Sequence, residues 1–595
     1  MGVVGRARTS LLGACAASVV ALAAGDASAQ SSIPPPETYN PVDANGVNLF
    51  TGGIQGPKHS VSIGQPGQGG LGVELWYDSS AGTGIWRHSL VGTLNRDPLI
   101  PGSPGYDTPQ YQLTLPGFSA LYLQDVNDDF ILIDGTGTLE TADGDIFTYT
   151  ALDGTVATID RTKRTLYPYL AFMGQVTTIA RPNGEVITYH YAQVETGEPL
   201  PMYARRLQSV TNNFGYQIHF QYASDTYGPD WTTLTKIVGV NNAVDWCDPV
   251  ANVCSFSRTW PSLTIGGTST DRNITDATGN ATHYLFSSNL LTGIRRPSQS
   301  TGASISYTRH TNPYWPNYVA TASDGVGTWS YAYTSPPPDP NYYPYYSTTT
   351  TVTDPTSGVT KIEVGSWHED PWGRRTQRLV SVTNGENEKT EWVWDEPGWQ
   401  VHSIIQPEGN RLTYGYAERG DLQSVTRMPK PGSGLSPTTV SAVFADCSTP
   451  ILCGRPTSVT DARGNITNYT YAAHGGVLTE TRPADPNGVR PQTRYAYQSL
   501  QAWRRTSSST TQAAAPAVIL PVQTSACATG TSPSCVGTAQ EVRTTTTYQA
   551  GNSATGSNLP PVTVTSGAGD GSLLATTTTT WDANGDPKTV DGPLD

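Results

Sequence analysis

Beyond its first thirty residues the sequence has no apolar run approaching the roughly 20 residues that cross a bilayer as a helix, and no stretch with the 3.6-residue periodicity of an amphipathic helix. Both absences exclude a helical bundle, in membrane or in water. Charge is sparse as well, at 14% of the residues, and it is one-sided: 35 Lys and Arg against 49 Asp and Glu give a formal net charge of −14. The basic residues are scattered, so a clustered phosphate-binding surface is excluded and no nucleic-acid partner is expected. Methionine (4) and phenylalanine (10) are scarce. The usual catalytic signatures are missing too: no Gly-x-Ser-x-Gly elbow, no His-Glu-x-x-His, no phosphate-cradling Gly-Lys-Ser/Thr and no Cys-x-x-Cys. The chain therefore reads as non-catalytic, with no cofactor.

What is present begins with a processing signal. Arg6 and Arg8 precede an apolar run from Leu11 to Ala24, and Ala27-Ser-Ala29 follows, which predicts cleavage after Ala29 and removal of residues 1–29. Cys15 stands in a Leu-Gly-Ala-Cys sequence, but the apolar stretch before it is too short for a lipoprotein signal. The mature chain is expected to be exported, to the cell surface, the periplasm or the medium, with no membrane span. Its six cysteines form three close pairs, Cys247 with Cys254, Cys447 with Cys453 and Cys527 with Cys535. An even count in an exported chain favours disulfides, whereas zinc would need Cys-x-x-Cys knuckles or histidines at ligand spacing. Each pair closes a short polar loop, as a staple at a hairpin tip would.

Gly (60) and Pro (45) are plentiful and Thr, Tyr and Ser abound, a composition of short strands and tight turns. One unit recurs. Gly184, Gly215, Gly279, Gly409 and Gly464 are each followed by aromatics five and seven residues later: Tyr189/Tyr191, Phe220/Tyr222, Tyr284/Phe286, Tyr414/Tyr416 and Tyr469/Tyr471. Chance would supply roughly 0.5 such cases for this composition, so the register is a repeat. Near copies surround the glycines, as in Asp276-Ala-Thr-Gly-Asn280, Gln406-Pro-Glu-Gly-Asn410 and Asp461-Ala-Arg-Gly-Asn465, and looser versions occur at Trp392/Trp394, Tyr495/Tyr497 and Trp581-Asp-Ala-Asn-Gly585. The glycine supplies the φ > 0 position of a tight turn, and aromatics two apart share one sheet face. The expected fold is all-β, a chain of antiparallel hairpins whose rings line up as a ladder. Irregular insertions are expected over about 334–360, around Pro336-Pro-Pro-Asp-Pro340, and over about 506–540.

The Gly-x₄-Tyr-x-Tyr unit resembles the YD repeat of Rhs proteins, wall-associated repeat proteins and teneurins. Tyr39-Asn-Pro-Val-Asp43, Leu71-Gly-Val-Glu-Leu-Trp-Tyr-Asp-Ser79 and Gly82-Thr-Gly-Ile-Trp-Arg-His-Ser89 resemble the segment that opens many bacterial Rhs chains. This likeness implies an N-terminal β region over 30–170, hairpin repeats over 171–595, and a spiral of hairpins wound into a hollow, shell-like cocoon. In the family such a shell encloses a C-terminal toxin cargo or acts in surface adhesion, with a glycan as the alternative ligand. The family's Asp-Pro-x-Gly self-cleavage segment is not found, and the chain is expected to be a partial member.

Other candidate groups read as structural. His88, His190, His219 and His283 fit half-exposed strand positions, and Asp125/Asn127/Asp129 and Asp582/Asn584/Asp586 have the spacing of a calcium loop but lack its sixth-position glycine and twelfth-position glutamate, which favours turns. The aromatics Trp392, Trp394, Trp399, Tyr342, Tyr343, Tyr345 and Tyr346 are the candidates for binding a sugar or an apolar surface.

Overall fold

The computed structural model describes residues 33–593, apart from 80–83, 97–108, 126, 163–172, 198–201, 312–314, 316, 335–345, 369–374, 396–399, 418–419, 446 and 528–534. The signal sequence and the Pro336–Pro340 run lie outside the described residues. Among those described there are 41 strands, one 3₁₀ turn at Pro450–Leu452, and no α-helix.

The hairpin turns follow from the glycines. Gly184, Gly215, Gly279, Gly409 and Gly464 have φ of +84° to +91°. Each donates its N–H to the carbonyl three residues back, on Arg181, Asn212, Asp276, Gln406 and Asp461 respectively. In four of them that earlier residue then donates to the carbonyl just after the glycine, as Asp276 does to Asn280 at 3.0 Å. The result is a type I turn closed by a glycine bulge, the common three-residue-loop hairpin. An L-residue other than Asn or Asp there costs about 1–2 kcal/mol.

From Met173–Ala180 to Pro587–Asp591 the strands pair antiparallel with their sequence neighbours in one continuous ribbon. It has one detour: Gln492–Leu500 pairs directly with Val518–Cys527, and the small hairpin Trp503–Arg505/Thr511–Ala513 stands aside. Two parts of the expected insertions are therefore ribbon. Tyr346–Thr353 pairs on both sides, with Thr328–Thr334 and Val359–His368, because its Ser-Thr-Thr-Thr-Thr-Val-Thr run is β-branched almost throughout. Val518–Cys527 likewise pairs on both sides, and Pro521 is tolerated because it falls at a register shift opposite Tyr497.

Ahead of the ribbon lies a curled sheet of eight strands. Its order is Phe130–Asp134, Phe118–Gln124, Gln110–Leu115, Thr93–Arg96, Met173–Ala180, Val156–Asp160, Ile146–Thr150 and Thr138–Thr141, around Leu94, Leu113, Tyr122 and Phe147. Met173–Ala180 joins it to the ribbon by pairing with Val186–Gly197 as well. The curl's two end strands meet at the turn between them, and no ladder joins them among the described residues. A separate three-stranded sheet, His59–Ile63, Leu71–Asp78 and Ile85–His88, packs against the ribbon strands Tyr216–Tyr222, Leu234–Asn241 and Ser262–Gly267.

The ribbon comes back over its own beginning. Asn213 Nδ2 donates to the Pro516 carbonyl (2.9 Å), Asn558 Nδ2 to Phe214 (2.8 Å) and Asn241 Nδ2 to Ala583 (2.9 Å), pairs 303, 344 and 342 residues apart. Single backbone bonds accompany them, from the Arg505 N–H to the Asn242 carbonyl and from the Ile519 N–H to the Asn183 carbonyl (both 2.7 Å), but among the described residues the wall overlaps itself without closing its ladder, and Pro587–Asp591 is paired along one edge.

Candidate functional site

The repeat rings mark one face of the ribbon, and they do two different jobs. The second ring of each pair falls at a β-bulge: the register shifts between His190 and Tyr191, Gln221 and Tyr222, Leu285 and Phe286, Gly415 and Tyr416, and Thr470 and Tyr471. From that position the phenol reaches across to the preceding strand, beyond the last pair of the ladder the two strands share. Tyr191 donates to the Val176 carbonyl at 2.8 Å, Tyr222 to Leu207 at 2.6 Å, Tyr416 to Val401 at 3.1 Å and Tyr471 to Pro456 at 2.6 Å, always fifteen residues earlier. Burial holds these four phenols well above their usual pKa, so they stay protonated donors. Phe286 keeps the ring without the bond. The looser copies repeat the device, with Trp394 Nε1 on Leu379 (2.7 Å), Tyr497 on Val477 (2.8 Å) and Trp581 Nε1 on Pro561 (2.8 Å). Two further instances lack the Gly-x₄-aromatic spacing: Tyr333 on Val319 (3.1 Å) and Tyr548 on Pro521 (2.7 Å). Tyr331 and Tyr333 lie six and eight residues after the turn glycine Gly325, one step out of register.

The first rings, Tyr189, Phe220, Tyr284 and Tyr414, are buried, and Tyr469 is half-buried. They do not stack on one another as a ladder. Equivalent positions in successive hairpins are two strands apart, about 10 Å, whereas rings touch at about 4.5–7 Å. Most of them, and other rings of the same face, instead meet the chain's own N-terminal segment, which crosses the strands as a strap. Trp392 Nε1 donates to the Glu37 carbonyl (3.3 Å) and Tyr39 packs edge-on to the same indole at 6.4 Å. The Tyr331 hydroxyl donates to the Asp43 carboxylate (2.5 Å) and accepts from Asn45 Nδ2 (3.0 Å), while Tyr307 donates to the Asn45 carbonyl (2.6 Å). Thr350 Oγ1 holds the Leu49 carbonyl (2.6 Å), the Val319 N–H holds that of Gly52 (2.9 Å), and His59 Nε2 meets the Tyr284 hydroxyl (2.8 Å). Farther along, Trp86 lies 4.9 Å from Tyr284, Tyr77 5.4 Å from Phe286, and His88 5.2 Å from Phe220. Trp392 and Trp394 are thus committed inside the molecule, not offered to a ligand; Trp399, Tyr342, Tyr343 and Tyr345 lie outside the described residues.

The remaining candidates sort by geometry. Asp125 Oδ1 accepts the N–H groups of Asn127 (2.8 Å) and Asp129 (2.9 Å), and Asp582 Oδ1 those of Asn584 (2.8 Å) and Asp586 (2.9 Å), so both triplets are turns whose leading carboxylate is already occupied. His190 and His283 are half-buried, beside the Thr211 hydroxyl (2.9 Å) and the Asp271 carboxylate (2.7 Å). His219 departs from the half-exposed expectation. It is fully buried, because the 242–260 loop covers its strand, and Nε2 faces the Asn252 carbonyl (3.2 Å). Desolvation pushes its pKa down to about 4. Its ligand nitrogen and the sulfurs of Cys247 and Cys254 lie within 4.8 Å of one another, yet those sulfurs are bonded together. Cys447–Cys453 and Cys527–Cys535 are also joined, and the three bridges have Cα separations of 5.4, 4.4 and 5.7 Å.

No family model matches this chain, and no curated protein matches it. Among solved structures it is similar to the Photorhabdus luminescens Tc holotoxin pore with a mutated TccC3, at 12% identity and a TM-score of 0.28 over 91% of this chain and 32% of that one. It is similar also to TcdB2-TccC3 without its hypervariable C-terminal region, at 12% identity and a TM-score of 0.29 over 91% and 33%. A porin-like protein from Bacteroides uniformis aligns at 7% identity and a TM-score of 0.11 over 73% and 96%. The chain spans about a third of the length of the toxin-complex chains.

Proposed function

We propose that this chain is the non-catalytic wall of an exported Rhs/YD-type shell, built to enclose or present a cargo joined to its C-terminal side. The observation that carries the reading is the self-overlapping ribbon whose ring-bearing face is occupied by its own N-terminal strap. Ring tips, Asp43, Asn45 and the turn carboxylates are spent on holding shape, which suits a container more than a catalyst. The three bridges agree with an oxidising destination.

The test is to fuse a compact protease-sensitive reporter domain after Asp595 and express the whole chain with its signal. Cleavage after Ala29, protection of the reporter from added protease, and a particle with internal space by electron microscopy are the expected results. A reporter digested as fast as its free form, on a particle with no interior, would overturn the container reading.

A further inference from the structure

A cavity of about 740 Å³, within the size range of small-molecule sites, lies where three parts of the fold meet. The turn before Leu71–Asp78 forms one side, the hairpin ends of the curled sheet another, and the hairpin of Met173–Ala180 with Val186–Gly197 the third. Its walls are mostly apolar, with Leu71, Leu115, Phe118, Tyr149, Ile179 and Phe214 among them. They are also held in place. Asn212 Nδ2 donates to the Gly69 carbonyl (2.6 Å), and Gly69 lies so close over the Phe214 ring that an added methyl would collide with it.

Free charge is not what this cavity offers. Arg181, the one cation among its described lining residues, pairs with Glu185 at 2.8 Å, and its other acid, Asp153, stands at an exposed turn and accepts the Thr155 N–H (2.8 Å). Asn183 is different. It lines the cavity at 9% exposure, and its Oδ1 accepts the Glu185 N–H (3.0 Å). Its Nδ2 has no hydrogen-bond partner among the described residues and is not sealed from solvent. An open donor on an apolar wall is matched by an acceptor that arrives with an apolar body. A carboxylate would find no free cation there, and a hydrocarbon would leave the amide unmet. We infer that this cavity binds a small neutral aryl carbonyl compound, its ring against the neighbouring Phe118 and Tyr149 rings and its carbonyl oxygen on Asn183 Nδ2. The inference is independent of the container reading, since it needs only the junction of the curl, the turn and the first hairpin.

Titration of the whole chain with acetophenone, followed by saturation-transfer NMR and calorimetry, tests it. Acetophenone is expected to bind, and benzoate and 1-phenylethylammonium to bind at least about tenfold more weakly, since each brings a charge that the cavity leaves unpaired. Asn183→Asp keeps the oxygen that holds the turn and removes only the donor, so it is expected to weaken acetophenone about tenfold. Thermal unfolding of that variant separates loss of site from loss of fold. Phe118→Ala, at a half-buried position, gives a second reading and is expected to weaken acetophenone about threefold or more. No binding at about 10 mM acetophenone, equal or tighter binding of either charged compound, or undiminished binding by a folded Asn183→Asp chain would each overturn the proposal. Should Asn183→Asp not fold, undiminished binding by Phe118→Ala would overturn it.

Discussion

A phenol that reaches a carbonyl on the preceding strand of its hairpin ties the two strands together beyond the last pair of their ladder. Tyr416 and Tyr471 do this for Val401 and Pro456. Their replacement by Phe keeps the ring and removes the donor, so each variant is expected to lose about 0.5–1.5 kcal/mol, read from the guanidinium unfolding midpoint of the whole chain. Phe286 shows that the site accepts the bare ring, so larger losses would point to packing instead. The turn carboxylates give a second test. Hydrogen bonds from the Thr278 hydroxyl and from Asn280 hold Asp276 down to about 2, and Asp461 and Asp354 are lowered by equivalent bonds. A depressed native pKa adds stability that is complete above the unfolded value near 3.9 and is lost as pH falls through the native one. The melting temperature is therefore expected to fall between about pH 4 and pH 2, and the doubly substituted Asp276→Asn, Asp461→Asn chain to fall less steeply. Identical slopes would remove these groups from the account.

The strap is the element on which the lined face depends. At Gly52, φ is +64° and an added methyl would run into the Tyr318 ring, so Gly52→Ala is expected to cost about 2–3 kcal/mol. Hydrogen exchange should quicken at Val47–Ile54 first; a protected strap in that variant would show the close approach to be unimportant. The disulfides are expected to matter less. Their partners are six to eight residues apart, so each bridge adds roughly 2 kcal/mol by chain entropy. Reduction of all three should leave the far-ultraviolet β spectrum in place, and collapse of that spectrum would make them essential. Hairpins and bridges were legible in the sequence because their signals are local, a glycine and two rings or two cysteines within ten residues. The strap was not, since its partners lie 225 residues away for His59 and 355 for Glu37. The strand Tyr346–Thr353 is masked in the sequence for another reason: its neighbouring prolines signal a loop, whereas its threonine run pairs on both sides.

At the scale of the whole molecule, the overlap of the ribbon with its beginning combines asparagine side chains with backbone bonds from the Arg505 N–H to the Asn242 carbonyl and from the Ile519 N–H to the Asn183 carbonyl. Asn213 is the most connected of them, donating to the Gly184 and Pro516 carbonyls and accepting from the Val186 N–H while 4% exposed. Asn213→Ala is expected to cost about 2–3 kcal/mol and to open the 506–517 region to limited proteolysis; an unchanged digestion pattern would place the hold elsewhere. Overlap of this kind was beyond the reach of the sequence, because the asparagines that make it carry no periodic mark. The bulges beside the second rings have a consequence of their own. An extra residue in one strand bends and twists the pair at that spot, and here the extra residue arrives with every copy of the unit. The bend is thus a property of each rung. Duplication or loss of a rung would change how far the ribbon winds while leaving its local curvature alone.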